Sequence, residues 1–183
     1  METRSKQLKN TDLAYIAGFI DGEGTIGIFK VEKTNAAHKA HWNPSYRLRL
    51  FITQTSLVPL HYIRDFYPGG YITLKKRYNL THKDCFTLGY TGKLAAQILK
   101  DCRPYMMVKD KEADLALDFI DNMVLIDRSL GKRLLPQEVE RREVTYQKMK
   151  ELNRQRGRPA WQESVQLQRA SEKASKKLDE AVL

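Results

Sequence analysis

From Leu13 to Ile20 the chain is apolar at every position, but for only eight residues. A bilayer span needs about twenty such residues, so this stretch predicts about two turns of a helix in a soluble core. Thr11 or Asp12 stands where a short side chain can cap the first turn. At helical spacing Ala14, Ala17, Gly18 and Asp21 share a face almost without side chains, against which a second helix can pack closely. Leu13, Ile16, Phe19 and Ile20 cover the remaining sides. Asp21-Gly22-Glu23-Gly24 then ends the helix, leaving two carboxylates beside a bare backbone.

From Thr25 the period changes from helical to strand-like. Ile26 and Ile28 face one side, Gly27 and Phe29 the other, and the parity blurs after Phe29, which predicts a bulge. Lys33 to Pro44 is a polar loop. Tyr46, Leu48, Leu50 and Ile52 alternate with Arg47, Arg49 and Phe51 in a second strand. Leu57 to Phe66 has helical spacing, and Pro68-Gly69-Gly70 is a turn. Tyr71 to Arg77 and Cys85 to Tyr90 predict two more strands. Gly92 to Arg103 is helical with Leu94, Ala95, Ile98 and Leu99 inward, and Pro104 breaks it. Glu112 to Arg128 is an amphipathic helix using Leu115, Ala116, Phe119, Ile120 and Met123. The order predicts an α+β domain: a four-stranded antiparallel sheet with helices on one face, in the order αββαββα. Residues 1–10 are a flexible lead-in, 11–130 the core domain, and 131–183 a C-terminal helical extension. In that extension Pro136 to Asn153 is a charged helix closed by Val139, Val144, Met149 and Leu152. A last helix runs from Trp161 to Val182.

Charge sharpens this picture. The 183 residues carry a formal net charge of +10, which points to an anionic partner, nucleic acid first. Between Thr25 and Lys83 the acids are only Glu32 and Asp65, against Lys30, Lys33, Lys39, Arg47, Arg49, Arg64, Lys75, Lys76, Arg77 and Lys83. The outward face of the sheet is therefore cationic, with polar residues interleaved. Such a face suits phosphates for affinity and base edges for readout. Arg47, Arg49, Lys75 and Arg77 are the best-placed readers. Lys30, Lys33, Asn35, His38, His41, Thr73, Lys76, Asn79 and Thr87 are further candidates. A solvated basic face is the plainer alternative. His38 and His41 have zinc-like spacing but no second ligand pair. Cys85 and Cys102 form no CxxC pair and fit a reduced compartment. Neither a signal peptide nor a membrane span is visible, so no membrane is expected. Arg156 to Pro159, RGRP, resembles an AT-hook, although a turn with exposed arginines has the same composition.

Ile16 to Gly24, IAGFIDGEG, resembles the signature of the LAGLIDADG homing endonucleases residue by residue. Ile replaces the first Leu, Phe the second, Gly the second Ala and Glu the second Asp. The motif occurs once, as in the branch that works as homodimers. The resemblance implies a homodimer packed through Ala14, Ala17, Gly18 and Asp21, with Asp21 also supporting the helix end. It implies metal-dependent cleavage of both strands of a long, near-palindromic double-stranded DNA site, leaving 3′ overhangs. Glu23 would bind the metal, Mg²⁺ or Mn²⁺, with help from the Gly22 carbonyl. Gln54 falls where the family has a polar residue that orients water near the metals, and Lys109 where a basic residue stands near the scissile phosphate. Gln54 as a strand-end cap and Lys109 as a surface charge are the plain alternatives, and Lys111 could replace Lys109. The resemblance further implies an intracellular site, in a prokaryotic cytoplasm or an organelle that holds the intron. Relatives that bind intron RNA as maturases, or bind DNA without cutting, share the basic sheet and form the alternative reading. Retention of Glu23, Gln54 and Lys109 together favours the nuclease.

Overall fold

A computed structural model describes residues 8–31, 44–75, 81, 83–123 and 134–156. The apolar run at the start lies in helix α1, Asn10–Glu23. The helix begins earlier than Thr11 or Asp12 could cap it. Asp12 instead reaches back from inside the first turn, where its Oδ2 accepts the Lys9 N–H at 3.0 Å. Its Oδ1 accepts the Tyr62 hydroxyl at 2.7 Å. Ile16, Ala17 and Ile20 are fully buried. Ala17 therefore packs into its own core and is not part of the open small-residue face, which is a correction to the expected dimer surface. Ala14 and Gly18 remain exposed.

Strand β1, Gly24–Val31, pairs antiparallel with β2, Ser45–Gln54. The register runs unbroken from Gly24 opposite Ile52 to Val31 opposite Ser45, so the expected bulge after Phe29 is absent. Helix α2, Leu57–Phe66, starts on Ser56, whose Oγ accepts the Val58 N–H at 3.3 Å. Strands β3, Tyr71–Lys75, and β4, Cys85–Thr91, complete a sheet of order β1-β2-β4-β3. Gly92 opens helix α3, Gly92–Cys102, with φ +59°, a backbone angle that side chains disfavour. Pro104 ends that helix in a tight turn over Arg103–Tyr105. Helix α4, Asp110–Asp121, stops at Asn122, short of the expected Arg128.

The inward row of the sheet, Ile26, Ile28, Tyr46, Leu48, Leu50, Ile52, Leu88 and Tyr90, is buried beneath the helices. The opposite face of the sheet carries no helix among the described residues.

Helix α5, Pro136–Arg156, lies against β1 and α4. Met149 joins the core, but Val144 is 47% exposed. The other buried positions are polar: Glu138, Arg142 and Thr145. Packing here rests on pairing rather than on the expected apolar stripe. Glu138 accepts from Arg141 at 2.9 Å and from Arg142 at 2.6 Å. Tyr46 donates its hydroxyl proton to Glu143, which also pairs with Lys30 at 3.0 Å. Asn153 donates to the Ile26 carbonyl at 3.0 Å, covering the edge strand β1. Of the AT-hook-like segment only Arg156 is described; the rest of it and the predicted final helix lie outside the described residues. No helix among them is long and apolar enough to cross a membrane.

Candidate active site and nucleic-acid interface

The C-terminal end of α1 is built by two reciprocal caps. Gly24 donates its N–H to the Ile20 carbonyl. A Cβ on Gly24 would stand 2.5 Å from that oxygen, so only glycine lets the chain pass straight from α1 into β1. Lys109 is 5% exposed. Its ammonium donates to the carbonyls of Ile20 at 2.8 Å and Asp21 at 2.5 Å. In return the Asp21 carboxylate accepts the backbone N–H groups of Met107 at 2.7 Å, Val108 at 3.1 Å and Lys109 at 2.9 Å. A cation therefore sits on the negative end of α1, and an anion on the positive end of α4. This corrects the expected place of Asp21 on the dimer face: its carboxylate is engaged within the chain, in support of the helix end.

Burial lowers the Lys109 pKa, and Arg156 lowers it further. Asp21, Glu112 and Glu23 oppose that shift. Lys109 is thus within electrostatic reach of Glu23, and it is no surface charge. Gly22 and Glu23 are exposed at the end of α1. Their donors, one carboxylate and backbone carbonyls, are hard oxygens of the kind Mg²⁺ or Mn²⁺ takes. Among the described residues no three His, Cys, Asp or Glu side chains gather as a metal site. Gln54 stands at the end of β2, two residues beyond the partner of Gly24, about 7 Å along the strand. Its Oε1 accepts the Thr55 N–H at 2.7 Å and the Thr55 hydroxyl at 3.1 Å. In this conformation it acts as the strand-end cap.

The open face of the sheet follows from the register. Thr25, Gly27 and Phe29 of β1 stand opposite Phe51, Arg49 and Arg47 of β2. Arg49 and Thr53 stand opposite Thr91 and Thr87 of β4, and Thr73 and Lys75 of β3 stand opposite Thr87 and Cys85. Arg47, Thr73 and Lys75 are exposed on this face, as expected. Lys30 is not: it follows Ile26 and Ile28 onto the helix side and pairs with Glu143. That contact corrects its assignment as a DNA-binding residue. Lys33, His38, Lys76, Arg77 and Asn79 lie outside the described residues, as do Asn35 and His41.

Two aromatic residues of this face were not among the expected site residues. The Arg49 guanidinium carbon lies 5.0 Å from the Phe29 ring centroid and 6.0 Å from that of Phe51. The two rings meet edge to face at 5.6 Å. Arg49 Nε is buried without a hydrogen-bond partner among the described residues. The outward parity of Phe29 and Phe51 beside Arg49 was the available signal. Glu112 and Arg156, paired at 2.6 Å near Lys109, gave none.

The chain belongs to the LAGLIDADG endonuclease family, whose model matches residues 16–121. The structure resembles that of the homing endonuclease I-CvuI in complex with the I-CreI target, with TM-score 0.58 and 23% identity. The match covers 78% of this chain and 82% of that one. It also resembles the archaeal intron-encoded homing endonuclease I-Vdi141I complexed with DNA, with TM-score 0.59 and 15% identity over 78% and 84% of the two chains. These likenesses show a shared fold. No curated protein sequence matches the chain.

Proposed function

We propose that this protein is a homodimeric, intron-encoded type of homing endonuclease that makes metal-dependent double-strand cuts in a long, near-palindromic DNA site and leaves 3′ overhangs. The observation that carries this reading is the buried Lys109 ammonium held on the end of α1, beside the exposed Glu23. A protein that only bound nucleic acid would gain nothing from a carboxylate facing phosphate. It would also gain nothing from a lysine desolvated next to it.

Glu23, with the Gly22 carbonyl, holds Mg²⁺ or Mn²⁺, and two chains bring two such carboxylates together. The bound ion supplies charge stabilisation for phosphodiester hydrolysis. Lys109 places positive charge beside the scissile phosphate and stabilises the charge that develops there. Gln54 turns its amide from Thr55 to orient water. Arg47, Arg49, Thr73 and Lys75 bind the duplex across the sheet. Arg47 and Lys75 neutralise phosphates, and Arg49 reads a base edge.

The test is cleavage of a library of near-palindromic and intron-insertion-type sites, with Mg²⁺ and with EDTA, by wild type and Glu23→Gln. Mg²⁺-dependent double-strand cuts with 3′ overhangs, lost in Glu23→Gln while binding persists, are expected. Tight binding of DNA or intron RNA by a wild type that cuts no site would replace this reading with a maturase or a non-cleaving DNA-binding protein.

A further inference from the structure

Helix α5 lies beyond residues 16–121, the stretch that the family model matches. It nevertheless reaches the candidate catalytic lysine. Arg141 donates to the carbonyl of Asn122, just past the end of α4, at 2.7 Å. Arg156 pairs with Glu112, in the first turn of α4, at 2.6 Å. Two contacts at opposite ends make α5 antiparallel to α4 and bring Arg156 to the end of α4 where Lys109 stands. Asn153 fixes this arrival: its amide donates to Ile26, and its Oδ1 accepts from Arg156.

Glu112 is 4% exposed and follows Lys109 by three residues, so the two lie on one side of the first turn. A buried carboxylate is a stronger acceptor for an ammonium than the two peptide carbonyls that now hold Lys109. Left unpaired, it would also carry a large desolvation penalty. Both problems are met by Arg156, whose guanidinium occupies Glu112. Lys109 feels both groups, the arginine lowering and the glutamate raising its pKa.

We propose that Arg156 is a positioning residue: by holding Glu112 it keeps the Lys109 ammonium on the carbonyls of Ile20 and Asp21, beside Glu23. The part of this inference that concerns cleavage rests on the nuclease reading above. The part that concerns the position of Lys109 does not.

The test compares wild type with Arg156→Ala, Arg156→Lys and the double variant Arg156→Ala/Glu112→Gln. The first readout is the crystal structure of each without metal or DNA. In Arg156→Ala the Lys109 Nζ should leave the two carbonyls and lie within about 3 Å of the Glu112 carboxylate. In Arg156→Lys and in the double variant it should stay. The second readout is the single-turnover cutting rate with Mg²⁺, beside DNA affinity with Ca²⁺. A displaced lysine should slow cutting by on the order of 100-fold with affinity unchanged, and the double variant should recover most of the rate. Lys109 unmoved in Arg156→Ala, or displaced in the double variant, would overturn the proposal. The double variant leaves no buried unpaired charge, so it reports on Lys109 even where the single variant folds poorly. A wild type that cuts nothing would sink the nuclease reading and leave the structural readout standing.

Discussion

Asp21 and Lys109 hold the ends of two helices with opposite charges, and each is the right charge for the end it occupies. The Asp21 carboxylate accepts three backbone N–H groups. Asparagine has nearly the same shape, but its amide offers a single neutral acceptor and a donor that no N–H can use. Hydrogen bonds to charged groups contribute about 1.5–3 kcal/mol each at most, so Asp21→Asn should destabilise the fold by about 2 kcal/mol in urea denaturation. An unchanged midpoint would mean that residues 107–109 are held by something else. Arg49 makes a different case. Its guanidinium lies over the neighbouring Phe29 and Phe51 rings, and its buried Nε has no hydrogen-bond partner among the described residues. A planar fork suits the two acceptors of guanine, and a lysine cannot copy it. Arg49→Lys keeps the charge, so overall affinity should hold. Discrimination at one base pair in each half-site should fall by about 1–3 kcal/mol, read by cutting or binding across a library of single-base variants. Equal relaxation at every position would show that Arg49 acts only on phosphates.

At the scale of elements, what the sequence discloses depends on what holds an element in place. The alternation Tyr46, Leu48, Leu50, Ile52 against Arg47, Arg49, Phe51 is an apolar signal, and β2 shows the same alternation in its burial. Lys30 hides its place for a related reason. Its parity follows Ile26 and Ile28, but the lysine breaks the apolar row, so the pattern predicts a bulge where the register is continuous. The reason it can face inward is Glu143, more than a hundred residues later, which no local pattern contains. Helix α5 repeats the lesson: its buried face is Glu138, Arg142, Thr145 and Met149, three polar residues satisfied by partners. Its anchor is Met149, 1% exposed. Met149→Ala should therefore cost about 2–5 kcal/mol, measured by thermal or chemical denaturation, whereas Val144→Ala should change little. The ion pairs make α5 sensitive to acid. Arg141 and Arg142 beside Glu138 hold its carboxyl down at about 2. The Tyr46 hydroxyl, with Gln147 and Lys30, does the same for Glu143, also at about 2. Both values lie below the ordinary 4.5, so folding favours the ionised forms. Their contribution is full above about pH 4.5 and is lost as pH falls toward 2. Glu143 is a third exposed, so its share is modest and screened by salt. Glu143→Gln should flatten the stability curve between those two pH values and leave it parallel to wild type above them. An unaltered acid limb would show that the Tyr46 and Lys30 contacts do not persist in solution.

The whole molecule presents one Glu23 and one open helix face, and the two facts belong together. With Ala17 buried and the Asp21 carboxylate engaged within the chain, Ala14, Tyr15, Gly18 and Gly22 remain exposed along α1. At Gly18 and Gly22 none of the described residues beyond the helix's own neighbouring turns lies within 4 Å of where a Cβ would stand. Within one chain a glycine at position 18 has no steric reason to be there, and in a helix interior it is less favourable than alanine by about 1 kcal/mol. A two-fold partner would supply the reason, because two bare faces can approach closely about an isologous axis. Such a pairing would set two exposed Glu23 carboxylates side by side, as the proposed metal site with one carboxylate per chain requires. The consequence has opposite signs in the two states. Leucine is nearly as good a helix former as alanine, so Gly18→Leu should leave the fold of the single chain intact or raise its stability by up to about 1 kcal/mol. The same side chain should block the second helix. Sedimentation should then show a monomer where wild type sediments as a dimer, binding should contract to a single half-site, and double-strand cutting should disappear. A Gly18→Leu protein that still sediments as a dimer and still cuts would place the two-fold axis on another face.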